Sequence, residues 1–321
     1  MRNTHSEEKI KNRLCTKLMI KSMKKSNFYW ILAIVLVLFV WTGFSPKAMA
    51  NDNPDKISQS NVVAQTIFGD EKQVGNGNVR TWVKVDKDQK PLSIGITVTE
   101  SALSGLPTED APPQEGSLKL KLMDGGPNHT FEYELMFPPV GKTAFNHMGF
   151  NWNPKGHGPE AFELPHFDVH FYMATTAYRH NVTSDPNEPT KFAKVSNILP
   201  PKEFLPEYYE LALNTAEPRM GSHYADVRSP QLKPGNFSNI FLIGVHDGNV
   251  VFWEPMITLD YLKTKPNFST KLNVPEAYPI GGYYPTAYSV VYDSKRQEYN
   301  ISLDDLTYRK ASYPGNVYGV N

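Results

Sequence analysis

Proline and glycine interrupt this chain so often that little room is left for long helices. It has 26 prolines and 21 glycines in 321 residues, and they recur roughly every ten residues, which is typical of short strands joined by turns. Between them, apolar and polar residues alternate with a period of two, the pattern of a strand with one buried face. We therefore predict a mainly β fold, either a β-sandwich or a barrel-like arrangement of antiparallel hairpins, with a few short helices.

Three hairpins are predicted, each with two alternating segments around a polar turn. They join residues 78–85 to 93–99, 240–245 to 250–253, and 288–292 to 299–303. The second is the clearest, because Asp247-Gly248 supplies the positive φ angles of a tight two-residue turn. Short helices are predicted at residues 100–103, at residues 206–213 after an initial proline, and from Thr258, a suitable N-cap residue.

The amino-terminal residues have the layout of a secretion signal. Several lysines precede an apolar run from Phe28 to Phe44, and Ala48-Met49-Ala50 offers the small side chains that a signal peptidase accepts. The run of about 17 residues is shorter than the roughly 20 of a membrane-spanning helix. This length favours a cleaved signal peptide, although an uncleaved transmembrane anchor at residues 28–44 stays the alternative.

These features give a prediction of domain organisation and location. We expect a signal peptide or anchor at residues 1–50, a flexible lead at residues 51–64 and a single β-rich domain at residues 65–321. The protein is then secreted or extracytoplasmic, and it contacts a membrane only through its N-terminal segment.

Composition agrees with a location outside the cytoplasm. Of the 33 basic and 33 acidic residues, nine and two lie in residues 1–50, so residues 51–321 carry 24 basic and 31 acidic groups and a net charge of about −7. A nucleic-acid partner would require a basic surface, so we expect no nucleic-acid binding. The only cysteine, Cys15, lies in the predicted signal, so the exported part forms no internal disulfide.

The segment Pro165–Met173 is the strongest candidate for a functional site. Its aromatic and β-branched residues indicate a strand, and a period of two gives it two faces. The apolar face consists of Phe167, Val169, Phe171 and Met173, and the polar face of His166, Asp168, His170 and Tyr172. Residues two apart on a strand lie about 6.6 Å apart at Cα and can share one ion, whereas His166 and His170, about 13 Å apart, cannot easily do so. A zincin helix is excluded, because Phe167 stands where the catalytic glutamate would be.

Other segments must supply the remaining ligands of a closed site. His223 follows a glycine, and Glu254 follows the apolar stretch 250–253, where a carboxylate must be exposed, paired or bound to a cation. His157 lies in a loop and could cover the mouth of a pocket. The predicted metal site comprises His166, Asp168, His170, His223 and Glu254. Imidazoles and carboxylates suit zinc, manganese or iron, and we expect no organic cofactor.

A simpler interpretation remains open for the same residues. The His-Asp-His face can be an ordinary polar strand surface, with Asp168 hydrogen-bonded between two imidazoles. His246, next to the Asp-Gly turn, is interpreted as a solvated loop residue. The sequence lacks a nucleophile elbow, a phosphate-binding loop, a dinucleotide motif and a cysteine after residue 50, so no catalytic residue is assigned.

Several motifs give this chain a resemblance to a known family. They include Asn151-Trp152-Asn153-Pro154, the His-Phe-Asp-x-His-Phe-Tyr core at residues 166–172, Met220-Gly221-Ser222-His223 and Phe252-Trp253-Glu254-Pro255. In this order they resemble a family of exported microbial proteins that is known only as a domain of unknown function, over about residues 67–306. The resemblance implies a mainly β fold and an extracytoplasmic life, and it allows for a homo-oligomer. It implies no activity.

Two functional hypotheses follow. In the first, the exported protein binds a divalent metal, with Asp168, His170, His223 and Glu254 as ligands and His166 as a general base or supporting residue. In the second, it is a noncatalytic envelope or stress-related protein that binds or assembles without a metal.

Overall fold

Antiparallel β-sheets are the main regular structure of the described residues. The computed structural model describes residues 64–123, 128–185, 187–312 and 318. Within these residues, no helix is both long and apolar enough to span a membrane. The predicted signal peptide or anchor and nearly all of the predicted flexible lead lie outside the described residues. The prediction of a mainly β fold with a few short helices is confirmed.

One sheet has six strands. In spatial order they are β1 (Gln65–Val74), β2 (Gly77–Val85), β3 (Pro91–Thr99), β15 (Glu298–Asp304), β14 (Ala287–Asp293) and β12 (Asn267–Lys271). All neighbours are antiparallel. The last strands of the chain therefore pair with the first ones, which joins distant parts of the sequence in one sheet.

A second sheet has eight antiparallel strands and carries the candidate site. In spatial order they are β4 (Leu118–Lys121), β5 (His129–Met136), β6 (His147–Asn153), β7 (His166–Tyr172), β11 (Asn249–Thr258), β10 (Asn239–His246), β9 (Ser222–Asp226) and β8 (Tyr209–Leu211). A small sheet pairs β13 (Gly282–Tyr284) with β16 (Thr307–Arg309). One hydrophobic cluster contains buried side chains from both large sheets, including Val83, Ile96, Phe150, Val169 and Val290.

The three predicted hairpins are confirmed. Strand β2 pairs with β3, β10 with β11, and β14 with β15. In the turn between β10 and β11, Asp247 and Gly248 both have positive φ angles, of 51° and 74°. Aspartate and glycine tolerate this left-handed backbone better than most residues, which explains why the dipeptide marks the turn so clearly.

The helices were predicted less well. Helix α3 (Leu259–Lys263) begins as expected after Thr258, whose side chain accepts a hydrogen bond from the Tyr261 N–H. The predicted helix at residues 206–213 is wrong, because strand β8 occupies its centre and pairs with β9. The predicted short helix at residues 100–103 is confirmed as a 3₁₀ helix. Among the α-helices of the described residues, α1 (Thr176–His180) and α2 (Pro189–Ser196) were missed. Pairing with β9 gives the 206–213 segment hydrogen bonds that local propensity does not predict.

Gly244 in β10 allows a close approach between strands. A Cβ atom added to Gly244 would overlap the ring of Phe252, which lies on the opposing residue of β11. The ring therefore occupies the space that a side chain at residue 244 would fill. Because Gly244 also pairs with His223 of β9, this contact helps to position three neighbouring strands.

We expect Gly244→Ala to destabilise the fold. The added methyl group must displace a buried aromatic ring, and overpacking of this kind costs about 1–3 kcal/mol. Gly281→Ala is the matched control, since the atoms nearest to a Cβ there lie 3.5 Å away. Urea unfolding of both variants measures the difference, and equal stabilities would contradict the proposed role of Gly244.

Candidate metal centre

The second face of the eight-stranded sheet is polar and yet buried. Polar side chains occupy alternate positions on its central strands, namely Thr130 and Glu132 on β5, Asn151 and Asn153 on β6, His166, Asp168 and His170 on β7, and Glu254 on β11. Each of these side chains is at most 3% exposed. Because buried polar groups require partners, every donor, acceptor and charge on this face must be paired.

The register of β7 and β11 brings Glu254 next to His170. The structure pairs Phe252 with Tyr172 and Met256 with Asp168, and this register places Glu254 opposite His170. Pro255, which has no N–H to donate to a neighbouring strand, lies between the paired stretches. The strand was predicted over residues 250–253, whereas β11 continues to Thr258.

Two imidazoles and one carboxylate form the first cluster, which we call the Glu254 group. It consists of His170, His223 and Glu254, and its candidate ligand atoms lie within 4.8 Å of one another. The Nε2 atom of His170 lies 3.4 Å from Oε1 of Glu254, and Nε2 of His223 lies 3.6 Å from Oε2. The His170 Nε2 and Glu254 Oε2 atoms are buried and have no hydrogen-bond partner.

Packing holds the two imidazoles of the Glu254 group in place. The Phe252 ring lies with its centroid 4.8 Å from that of His170 and 5.3 Å from that of His223. The Phe252 ring thus contacts His170 of β7 and His223 of β9, and it fits there because Gly244 has no side chain.

Two imidazoles and one carboxylate also form the second cluster, the Asp168 group. It consists of His157, His166 and Asp168. The Nε2 atoms of the two histidines lie 3.0 Å apart, and those of His166 and His157 lie 3.0 Å and 3.7 Å from the oxygens of Asp168. Asn153 donates a hydrogen bond of 2.8 Å to Oδ2 of Asp168.

All four imidazoles are oriented in the same way. The Nδ1 atoms of His157, His166, His170 and His223 contact the backbone carbonyls of Gly158, Leu164, Gly149 and Thr215 at 2.9, 2.6, 3.3 and 2.9 Å. A carbonyl oxygen can only accept, so each Nδ1 carries a proton and each Nε2 points to a carboxylate. Metal-binding histidines in proteins are commonly held by such a hydrogen bond from the second ring nitrogen.

Burial favours the uncharged forms of all three side chains of the Glu254 group when it holds no ion. Burial lowers the pKa of His170 to about 3 and that of His223 to about 4. Burial, together with the charge of Asp168, raises the pKa of the Glu254 carboxyl well above its usual range. A bound cation would reverse this preference, since it favours a carboxylate and neutral imidazoles.

The Asp168 group instead holds a charge pair. Burial acts against charge here as well, but the neighbouring histidines hold the pKa of the Asp168 carboxyl well below its usual range. Burial would lower the pKa of His157, yet the neighbouring Asp168 carboxylate raises it to about 9. Burial lowers the pKa of His166. At neutral pH the group therefore contains one imidazolium and one carboxylate.

Next to these clusters lies a network of arginines and glutamates. Arg179 is 1% exposed and contacts Glu132 and Glu134, the latter at 2.9 Å. Arg219 reaches the same two carboxylates at 2.8 and 3.2 Å. The guanidinium carbon of Arg179 also lies 4.2 Å from the centroid of the Tyr172 ring. Two cations thus balance two anions.

Asp168 and Glu254 take no part in this network of arginines and glutamates. Within the described residues, the basic side chains close to these two carboxyl groups are histidines alone, and no lysine or arginine contacts either of them. A buried carboxylate without a permanent cation must be protonated, paired with an imidazolium or bound to a metal.

A narrow chamber connects the two clusters. His157 and Asp168 line it from one group and His223 from the other, together with apolar side chains such as Met220 and Leu242. It offers about 30 Å³ to the centre of a water-sized molecule. Because a buried water needs at least about 10–15 Å³, the chamber has room for a few small molecules.

The five residues predicted from sequence are divided between the two clusters. His170, His223 and Glu254 come together, whereas Asp168 and His166 join His157 in the other group. Sequence reasoning placed His157 at a pocket mouth and missed its contact with His166 and Asp168. It also missed Asn153 and the arginine network, although the alternation in β5 and β6 could have indicated a polar inward face.

The interpretation of His246 as a solvated loop residue is wrong. His246 ends strand β10 and is 7% exposed. Its Nδ1 atom lies 2.7 Å from the hydroxyl of Tyr178 on α1. The missed helix α1 therefore covers this end of the sheet and shields the imidazole from solvent.

We expect Arg179→Met to destabilise the protein strongly. The change leaves Glu132 and Glu134 without one of their two cations, and breaking a buried pair costs about 3–5 kcal/mol. Lys263→Met is the matched control, because its pair with Asp260 is exposed and should contribute little. Chemical unfolding measures both, and a small effect of Arg179→Met would show that Arg219 alone suffices.

Comparison with known proteins adds little about function. One family model, described as "TTHB210-like: Hypothetical protein TTHB210", matches residues 86–152. The matched region contains strands β3 to β5 and most of β6, but none of the six residues of the two clusters. No curated protein and no solved structure matches the chain. The chain is thus similar, over these residues, to an uncharacterised family.

Proposed function

We propose that this protein binds a divalent metal ion at the Glu254 group. The proposed ligands are Nε2 of His170, Nε2 of His223 and the carboxylate of Glu254. Zinc and iron(II) both accept a set of two histidines and one carboxylate, and manganese also takes mixed nitrogen and oxygen ligands.

The distances in the Glu254 group carry this proposal. Separations of 3.4 and 3.6 Å between nitrogen and oxygen are long for hydrogen bonds. They agree with the distance of about 3.4 Å between two ligands of a tetrahedral ion that has bonds of about 2.1 Å. Each imidazole therefore lies at the distance from the carboxylate that two ligands of one metal ion have.

The orientation of the side chains supports the same conclusion. Both imidazoles present an unprotonated Nε2 atom to the carboxylate, and two of the facing atoms are buried without a partner. Leaving such atoms unpaired costs about 1–3 kcal/mol for each group. A divalent ion would satisfy all three side chains at once.

An ion held in this way would keep a coordination position free. Sites with three protein ligands and one open position are typical of catalytic zinc, whereas structural zinc sites have four protein ligands. An ion of this type lowers the pKa of a bound water and favours hydrolase or lyase chemistry. If the protein binds no metal, the noncatalytic binding or assembly role becomes the better hypothesis.

We expect Glu254→Gln to weaken metal binding by more than about 100-fold, because loss of a direct ligand should exceed the effect of losing a supporting residue. The amide keeps the shape of the side chain but removes its charge. Calorimetric titration with Zn²⁺, after removal of metal by a chelator, measures the affinity at this site.

Glu160→Gln is the matched control, since Glu160 is exposed. It should bind zinc as the wild type does. The proposal fails if the untagged wild-type protein binds no zinc, or if Glu254→Gln binds it as tightly as the wild type.

We also propose that the chain is exported and cleaved after Ala50, contacts the membrane only through residues 1–50, and can assemble as a homo-oligomer. The basic and apolar layout of residues 1–50 and the acidic charge of the remainder support export. No nucleic-acid partner is proposed.

Export has a direct test. The secreted protein should have the mass of residues 51–321, and Ala48→Leu should block cleavage because the peptidase requires a small residue there. Met49→Leu, at the position that tolerates larger side chains, should be cleaved normally. Retention of an uncleaved wild-type chain in the membrane would support the anchor instead.

A further inference from the structure

We infer that the Asp168 group is a second cation site, separate from the one proposed at the Glu254 group. Its ligands would be Nε2 of His157, Nε2 of His166 and an oxygen of Asp168. This inference goes beyond the proposed function, which requires only one ion, and the two can be tested independently.

The three side chains of the Asp168 group converge on one point. Their contacts of 3.0, 3.0 and 3.7 Å lie near the ligand-to-ligand distances around an ion with bonds of about 2.1 Å, which are about 3.0 Å in an octahedron and 3.4 Å in a tetrahedron. The candidate atoms of all three lie within 4.8 Å of one another.

The imidazoles have a fixed orientation. The Nδ1 protons of His157 and His166 are directed at the carbonyls of Gly158 and Leu164. The two Nε2 atoms face each other at 3.0 Å, and without an ion the Nε2 proton of the His157 imidazolium lies between them. A metal ion would take the place of this proton, because two lone-pair acceptors remain this close only with a proton or a metal ion between them.

One oxygen of Asp168 is buried without a hydrogen-bond partner. Asp168 is 3% exposed, and its Oδ1 atom has no hydrogen-bond partner although it lies 3.0 Å from Nε2 of His166. The contact is not a hydrogen bond as long as the proton of His166 is on Nδ1. The other oxygen is held by Asn153, which fixes the carboxylate with Oδ1 directed at the two imidazoles.

The two clusters are neighbours, but no residue belongs to both. Asp168 and His170 are two residues apart on β7, which corresponds to about 6.6 Å between their Cα atoms. Each group also has its own carboxylate and its own two imidazoles, so the structure favours two separate sites that meet at the chamber.

The ligand chemistry restricts the cation. Two nitrogens and one carboxylate oxygen favour zinc, manganese or iron over calcium and magnesium, which prefer oxygen ligands. Two divalent ions at this separation repel each other in a buried region, so we expect the second ion to bind more weakly than the first.

The number of zinc ions bound per chain distinguishes one metal site from two. The full chain, purified without a histidine tag and stripped with a chelator, is dialysed against excess Zn²⁺ and its bound metal is counted by mass spectrometry. We expect two ions per chain in the wild type and one in His157→Gln, because His157 lies in a loop and a glutamine there should preserve the fold. Glu254→Gln should also retain one ion, and the double variant none.

The matched control is His180→Gln, which removes an exposed imidazole outside both groups and should keep two ions. Circular dichroism checks that each variant is folded, and Asp168→Asn replaces His157→Gln if the latter is not.

One ion in the wild type that is lost only in Glu254→Gln would overturn the second site and leave the proposed function intact. One ion that is lost only in His157→Gln would refute the proposed function instead. Two ions in both the wild type and His157→Gln would also overturn this inference.

Discussion

The burial of a polar sheet face is the constraint on which the rest of this structure depends. In most antiparallel sheets one face packs in the core and the other meets water. Here both faces of the central strands are buried, so every charge on the polar face requires compensation within the protein. The arrangement of arginines, histidines and carboxylates follows from this requirement.

The charges on the polar face are neutralised in two different ways. Arg179 and Arg219 neutralise Glu132 and Glu134 permanently, since a guanidinium does not lose its proton under physiological conditions. Asp168 and Glu254 are matched with imidazoles, which can exchange a proton for a metal ion. The first arrangement suits a fixed structural network, and the second suits binding that can be reversed.

Much of the fold could be predicted, because local patterns determine it. Alternation and the Asp-Gly turn were sufficient for the three hairpins, and Thr258 marked the start of α3. Residues 206–213 were misread because pairing with β9 decides their conformation, and such pairing depends on residues far away in the chain. Helix propensity is a weak guide in such segments.

The sequence predicted most residues of the candidate site, but not how they divide into two clusters. The period of two in β7 identified His166, Asp168 and His170, and the buried position of a carboxylate identified Glu254. Which histidine meets which carboxylate depends on the register between β7 and β11 and on the loop that carries His157. Neither is encoded in the spacing of residues within one segment.

The small volume of the chamber restricts what could meet an ion bound there. Its space admits molecules of the size of water, dioxygen or a small inorganic anion. A polysaccharide or a peptide could not enter unless the surrounding loops moved apart. The volume therefore favours small dissolved molecules rather than polymers as the partners of the site.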